Sequence, residues 1–177
     1  ILQPVWRAAA PDSDLHVLLT GMHCAATAGE IETPKSANVH RGGADLAGAT
    51  ACEAAHAMAA IATAAATCLD TVRPDAVLVV GDRLDMLPAA TATVPYNVPL
   101  VHLHGGEITE GALDDRVRHA ITKLAQLHCV SSEGARRRLV AMGEAEARVR
   151  LTGAPGLDTL RAAPQLSAAE FAAALDM

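Results

Sequence analysis

The sequence predicts an α/β fold: a Rossmann-like parallel sheet with helices on both faces. Three observations carry this. Short, mainly apolar runs at Val77–Val80, Pro99–Leu103 and Leu127–Val130, the first of them β-branched at three of four positions, recur with helix-length segments between them. Each run stops abruptly at small or polar residues: Gly81 after the first, His104-Gly105-Gly106 after the second, Ser131-Ser132 after the third. Strands alternating with helices at this spacing argue for parallel pairing through helical crossovers.

Taken in order, Ile1–Ala10 reads as the tail of a helix and Leu15–Thr20 as a strand ended by Gly21. Cys24–Gly43 has no clear period and contains Pro34, Gly42 and Gly43, so it reads as a loop. Asp45 to Val72 is Ala-rich with strong helix propensity, and Pro74 stops it. Ala76–Val80 is a strand, Leu84–Thr93 a helix, Pro99–Leu103 a strand and Asp114–Ala125 a helix. Leu127–Val130 is the next strand, followed by a helix over Glu133–Met142 with the arginine run Arg136–Arg138. Val149–Leu151 is a short strand and Gly156–Ala162 a short helix. Ser167-Ala168-Ala169-Glu170 has the capping-box pattern that starts a helix.

The chain has 177 residues, enough for one domain with a real core. Hydrophobic residues make up 51%, a figure inflated by Ala; Trp6, Tyr96 and Phe171 are the only aromatics, which argues against stacking on bases. The net charge of −6 argues against binding a phosphate backbone, so nucleic acid is not an expected partner. No apolar run approaches the roughly 20 residues that cross a bilayer, so no membrane is expected. Ile1–Ala10 lacks the basic start of a signal peptide. Cys24, Cys52, Cys68 and Cys129 form no Cys-x-x-Cys pair and read as reduced thiols of a cytoplasmic protein. The apolar surroundings of Cys52, Cys68 and Cys129 in the sequence point to core packing.

Chemistry concentrates at two strand ends. In open α/β sheets, ligands bind beyond the carboxyl ends of the strands. Gly81-Asp82-Arg83 follows one strand and His104-Gly105-Gly106-Glu107 the next, so the two ends suggest one shared site. Gly105 and Gly106 remove side chains where a backbone turns or approaches a ligand. Thr109 to Asp115 is a polar loop, with Glu110 in it, that feeds a helix whose N-cap or first-turn acid is Asp114 or Asp115. Arg118 and His119 lie one turn in. Carboxylates beside cations suit proton abstraction from carbon and help for a leaving group.

Plainer readings stand beside these. Asp82 fits a helix N-cap, and Arg83 a surface cation paired with Asp82 or Asp85. His102 and His104, two apart on one strand, share a face; a metal there lacks an obvious third ligand, and none is expected. Glu107 fits a loop stabiliser. His119 points into the site or packs under it. The arginine run fits a solvated helix face.

The same residues carry a resemblance. GDRLDML at Gly81–Leu87, HLHGGEITEGALDD at His102–Asp115 and RHAITKLAQLHCVS at Arg118–Ser131 resemble the hydrolysing UDP-N-acetylglucosamine 2-epimerases of sialic- and legionaminic-acid pathways. LLTGMH at Leu18–His23 and GAPGLD at Gly153–Asp158 are similar to further motifs of that family. The resemblance is strong from Asp75 to Leu160 and weak before Pro74. It implies one lobe of a two-lobe, glycosyltransferase-B-like enzyme over residues 1–177, with the family's first strand lying before Ile1 and its UDP-binding second lobe after Met177. It implies elimination of UDP to a 2-acetamidoglycal and hydration to the 2-epimer, with no cofactor.

Asp82, Glu107 and Asp114 are then the expected catalytic residues. Arg83, His104, Gly105, Gly106, Thr109, Glu110, Arg118 and His119 are expected to bind substrate. Some relatives carry a functional Glu where His104 stands, so the acid–base role falls to His104 or Glu107. The expected partner is a UDP-sugar, the expected parent a homo-oligomer, and the chain alone is expected to be inactive. Two rivals are a hydrolysing epimerase of a UDP-2,4-diacetamido-trideoxy hexose and a non-catalytic Rossmann-like remnant or interaction module.

Overall fold

The computed structural model describes residues 16–19, 38–41, 50–110 and 113–162, together with 167, 170 and 172. The chain divides into a large unit, Asp12–Gly153, and a second made of Ile1–Pro11 and Ala154–Met177. The expected helix over Ile1–Ala10 lies outside the described residues.

Among the described residues the large unit holds six strands, paired in parallel. β1 (His16–Leu19) pairs with β2 (Asn38–Arg41) in a two-stranded sheet. β3 (Val77–Val80), β4 (Leu100–Leu103), β5 (Leu127–Val130) and β6 (Val149–Leu151) form a four-stranded sheet in sequence order. Register aligns Val79 with His102 and His102 with His128. β2 corrects the reading of Cys24–Gly43 as loop throughout. Its sequence, NVHR, has one apolar residue and no alternation, so nothing local marks it as a strand.

The helices follow the expected order. α1 (Ala51–Val72) begins at a capping box: Thr50 Oγ1 accepts from the Glu53 N–H, and the Glu53 carboxylate accepts from the Thr50 N–H at 2.7 Å. It ends at Arg73 in the left-handed region, just before Pro74. α2 spans Met86–Tyr96, α3 Asp114–Leu124 and α4 Glu133–Ala141. In the second unit, α5 spans Pro155–Ala162, and Ser167 and Glu170 make the capping-box contacts read from the sequence.

Alternation along the strands sets the core. Val79, Leu100, Val117 and Ile121 pack with Ala90 and Ala125 between β3, β4, α2 and α3. Val130, Ala135, Leu139 and Val149 form a second cluster between β5, β6 and α4. Fully burying a residue such as Ile121 stabilises the fold by about 2–3 kcal/mol before entropy is counted. On the other pleat of the sheet, Leu78, Val80 and Leu127 keep substantial exposure.

α1 revises one sequence expectation. It is long and apolar enough to cross a membrane by length and composition. Its buried residues, Ala57, Ile61, Ala65 and Leu69, nevertheless recur every fourth position as a single stripe. α1 packs against α2, and the Tyr96 hydroxyl donates to Ala66 O at 3.0 Å. That is the pattern of a helix laid on a protein core. Cys52, on the outer side of α1, is exposed, which corrects its reading as core; Cys68 and Cys129 are half-buried. Ala-rich surroundings in sequence do not by themselves bury a helix position.

Candidate active site

The turn after β3 is built by Gly81, at φ 80°. Its N–H donates to Leu103 O at 3.0 Å, which closes the end of β3 onto β4. Its carbonyl accepts from His102 Nε2 at 2.9 Å. Because a carbonyl can only accept, Nε2 carries the proton, and Nδ1 accepts from the Thr122 hydroxyl at 3.3 Å. Burial pushes the His102 pKa down to about 4, against the opposing bond to Gly81 and with help from the charges of His128 and His104. His102 is thus a neutral strut that joins β3, β4 and α3 under the site.

Asp82 follows Gly81 and does not cap a helix. α2 starts at Met86 with Asp85 at its N-cap. The Asp82 carboxylate instead accepts from Arg118. Arg118, with a side chain only 3% exposed, also donates to Asp115, to Glu107 O at 2.7 Å and to Thr109 Oγ1 at 2.8 Å. The Thr109 N–H donates to Asp115 Oδ1 at 2.9 Å. One buried guanidinium thus ties the β3 turn, the loop after β4 and the first turn of α3 together. Its burial, together with the charge of Arg138, lowers its own pKa.

β4 ends at Leu103, and His104 stands beyond it at φ 64°. Strand alternation no longer sets its direction, which corrects the expectation that His102 and His104 share a face. The His104 N–H donates to Cys129 O at 3.0 Å. Its ring turns to Glu107, with Nδ1 at 2.9 Å from Oε1. Ser131 Oγ, at the end of β5, donates to the same oxygen at 2.6 Å. Partial burial works against the charge on Glu107, but the bonds from Ser131 and His104 outweigh it and hold its carboxyl below the usual range.

The glycine pair has a packing cause. A Cβ on Gly105 would stand 3.0 Å from His102 Nδ1, and one on Gly106, at φ 77°, would stand 2.5 Å from Ala135 O. Both residues are buried against His102 and α4, and Arg138 donates to Gly106 O. Arg138 therefore departs from the reading of Arg136–Arg138 as a solvated face, while Arg136 pairs with Glu133 and Glu146 and Arg137 is exposed.

The remaining expected residues place as follows. Arg83 donates from Nε to Asp85 at 3.0 Å and is half-exposed. Asp114 opens α3, but the acid joined to Arg118 and Thr109 is its neighbour Asp115. Glu110 is exposed. His119 is half-buried, and its buried Nδ1 has no partner among the described residues. Among the described residues no group of three or more His, Cys, Asp and Glu is placed to hold a metal. Sequence reasoning passed over Ser131, Arg138 and Thr122. In a sheet of order β3-β4-β5-β6, the end of β5 lies beside the end of β4, and that adjacency was the signal for Ser131.

Comparison with known proteins adds an independent line. The family model described as UDP-N-acetylglucosamine 2-epimerase matches residues 7–176. The chain is 40% identical over 153 residues to the Legionella pneumophila UDP-N,N'-diacetylbacillosamine 2-epimerase (hydrolyzing), covering 84% of this chain and 40% of that protein. It is 32% identical over 158 residues to the Neisseria meningitidis UDP-N-acetylglucosamine 2-epimerase, covering 85% of this chain and 40% of that protein. The UDP-GlcNAc 2-epimerase of Methanocaldococcus jannaschii superposes with a TM-score of 0.69 at 19% identity, over 86% of this chain and 41% of that one. That likeness establishes the fold. The chain spans about 40% of the length of these curated relatives.

Proposed function

This chain belongs to the UDP-N-acetylglucosamine 2-epimerase family, and from that premise we propose that it forms one wall of a nucleotide-sugar cleft for hydrolysing 2-epimerisation. The carrying observation is the convergence of Asp82, His104, Glu107, Thr109 and Asp115 around Arg118 at the carboxyl ends of β3 and β4. The reaction removes the proton on C2 of a UDP-2-acetamido sugar, expels UDP from C1, and adds water across the resulting double bond to give the 2-epimer.

It needs a base for C2, relief of charge on the departing phosphate oxygen, and an acid–base pair for hydration. Asp82, His104 with Glu107, and the Asp114–Asp115 pair are the groups we assign to proton handling. Arg118 fixes their spacing, and Thr109, Glu110, Arg83 and His119 flank them. No nicotinamide, flavin or metal is needed for these steps. The free thiols Cys52, Cys68 and Cys129 suit a cytoplasmic setting. A homo-oligomer is the expected state of the working enzyme, readable by sedimentation.

The substrate we assign first is UDP-N-acetylglucosamine, giving UDP and N-acetylmannosamine. A second reading, UDP-N,N'-diacetylbacillosamine, is favoured by the higher identity to the Legionella protein, 40% against 32% for the Neisseria one. The test fuses this chain to the remaining length of the Legionella relative. The fusion and the chain alone are incubated with each nucleotide sugar, and free UDP and the 2-epimer are followed. Release of both by the fusion, with none from the chain alone, is the expected result. A folded fusion that leaves both sugars untouched would refute the proposal.

A further inference from the structure

Glu107 Oε1 accepts two hydrogen bonds, from His104 Nδ1 at 2.9 Å and from Ser131 Oγ at 2.6 Å. A carboxylate held in this way is a poor proton carrier, because both donors stabilise its charged form. It is a good orienting partner, because it fixes the proton of the neutral imidazole on Nδ1 and leaves the Nε2 lone pair as the reactive position. Nε2 of His104 takes no hydrogen bond among the described residues, and the side chain is 25% exposed. The backbone adds a second observation. His104 sits at φ 64°, a region a non-glycine residue rarely occupies, pinned by its N–H to Cys129 O. Asp82 is differently placed, since the buried Arg118 neutralises it.

We propose that His104 is the group that takes the C2 proton in this cleft and that Glu107 and Ser131 position it, a reading that rests on the function proposed above. In the elimination step the neutral Nε2 takes the proton from C2. The C–H pair becomes the C1–C2 double bond, the C1–O bond breaks, and its pair leaves on the UDP oxygen. The imidazolium so formed lies against the Glu107 carboxylate. The other charged or titratable groups around it are His102 beneath, Arg118 on Glu107 O, Arg138 on Gly106 O, and Asp82 beyond Arg118.

The first test uses the 177-residue chain and needs no turnover. Histidine nitrogen NMR is expected to find neutral His104 with its proton on Nδ1. Glu107→Gln keeps an acceptor but removes the charge, and is expected to let the proton spread to Nε2, seen as a mixture of the two tautomers in the nitrogen shifts. A proton on Nε2 in the parent chain, or an unchanged tautomer in Glu107→Gln, overturns the pairing.

The second test uses the fusion. His104→Asn tolerates the left-handed backbone. It is expected to lose UDP release at least a hundredfold while still hydrating added 2-acetamidoglycal. Glu107→Gln is expected to lower kcat about tenfold with KM within about twofold, the signature of a positioning residue. A His104→Asn protein that releases UDP at the parent rate overturns the assignment. A parent fusion that releases no UDP overturns the epimerase reading and the elimination step with it, and the NMR result still decides the pairing separately.

Discussion

Two clusters in the large unit use nearly the same side chains and differ in what they leave open. At the carboxyl ends of β3 and β4, Asp82, His104 and Glu107 gather around buried Arg118. Near the amino end of β5, fully buried His128 meets Glu144 at 3.3 Å, and Glu144 meets Lys123 at 2.5 Å. In the first, the cation is inside and the acids and imidazole reach solvent: Glu107 is 38% exposed. In the second, the imidazole is inside and the cation outside, with Lys123 at 54% exposure. A reactive site needs its titrating groups at the surface of a cleft and its anchors below them. By that measure the first cluster can do chemistry, and the second holds β5, α3 and the loop after α4 together.

The largest expected effect follows from this asymmetry. His104→Asn in the fusion should lower UDP release at least a hundredfold while the protein stays folded, because Asn tolerates the left-handed backbone but offers no basic nitrogen. Glu144→Gln, a change in the other cluster, should leave the rate within about twofold. Rate and circular dichroism measured on both proteins check this. Equal rate losses would erase the functional distinction between the clusters.

How much of this was legible beforehand differs by residue. The strands at Val77–Val80 and Leu127–Val130 were plain, because their apolar runs are bounded by residues that cannot continue them. β2 was not, because a four-residue strand with one valine has no period to detect. Asp82 and Glu107 could be named because they follow strand ends in an α/β pattern, and Arg118 because it lies one turn into the next helix; the family resemblance sharpened all three. Their division of labour was hidden. It depends on Arg118 reaching back 36 residues to Asp82, and on the left-handed turn at His104 that directs its ring to Glu107. The glycine pair could be read as a turn, but not what it packs on: Gly106 accommodates the carbonyl of Ala135, 29 residues on, which only the fold brings near.

Removing the cation from the first cluster should cost the most stability. Arg118→Met leaves Asp82 and Asp115 without their shared partner and Glu107 O without its donor. Breaking buried ion pairs costs about 3–5 kcal/mol, and the partial exposure of the two acids places this one near the lower end. Urea unfolding of the chain reads it directly. A loss under about 1 kcal/mol would mean that Arg118 is dispensable as the anchor of the cleft.

Acid should act through the strut below the cleft. His102 titrates at about 4 in the fold, against an ordinary value of 6.5. Between those values the unfolded chain binds more protons, so stability falls as pH is lowered through that window and is fully present above it. The total from this residue is about 3 kcal/mol. His128, depressed by burial though opposed by Glu144, adds a loss of the same sign. His102→Asn should flatten the wild-type slope between about pH 6.5 and 4 without abolishing it. Unfolding midpoints at several pH values test this, and identical slopes would place the acid sensitivity elsewhere.

The smallest expected effect is the most discriminating. Lys123 lies in the last turn of α3, and its ammonium reaches Glu144 from solvent. Exposed ion pairs contribute about 0.2–1 kcal/mol, and salt screens them. Lys123→Met leaves Glu144 with its bond to His128 Nε2, so no buried charge is stranded. The expected loss is about 0.5 kcal/mol in dilute buffer, vanishing near 1 M NaCl, with UDP release by the fusion unchanged. Arg118→Met and Lys123→Met each delete one cation from a His–carboxylate cluster, so their difference measures burial rather than residue type. Paired urea titrations at low and high salt give that difference. If Lys123→Met costs as much as Arg118→Met at both salt concentrations, the two clusters are equally interior networks, and exposure cannot be what sets the cleft apart.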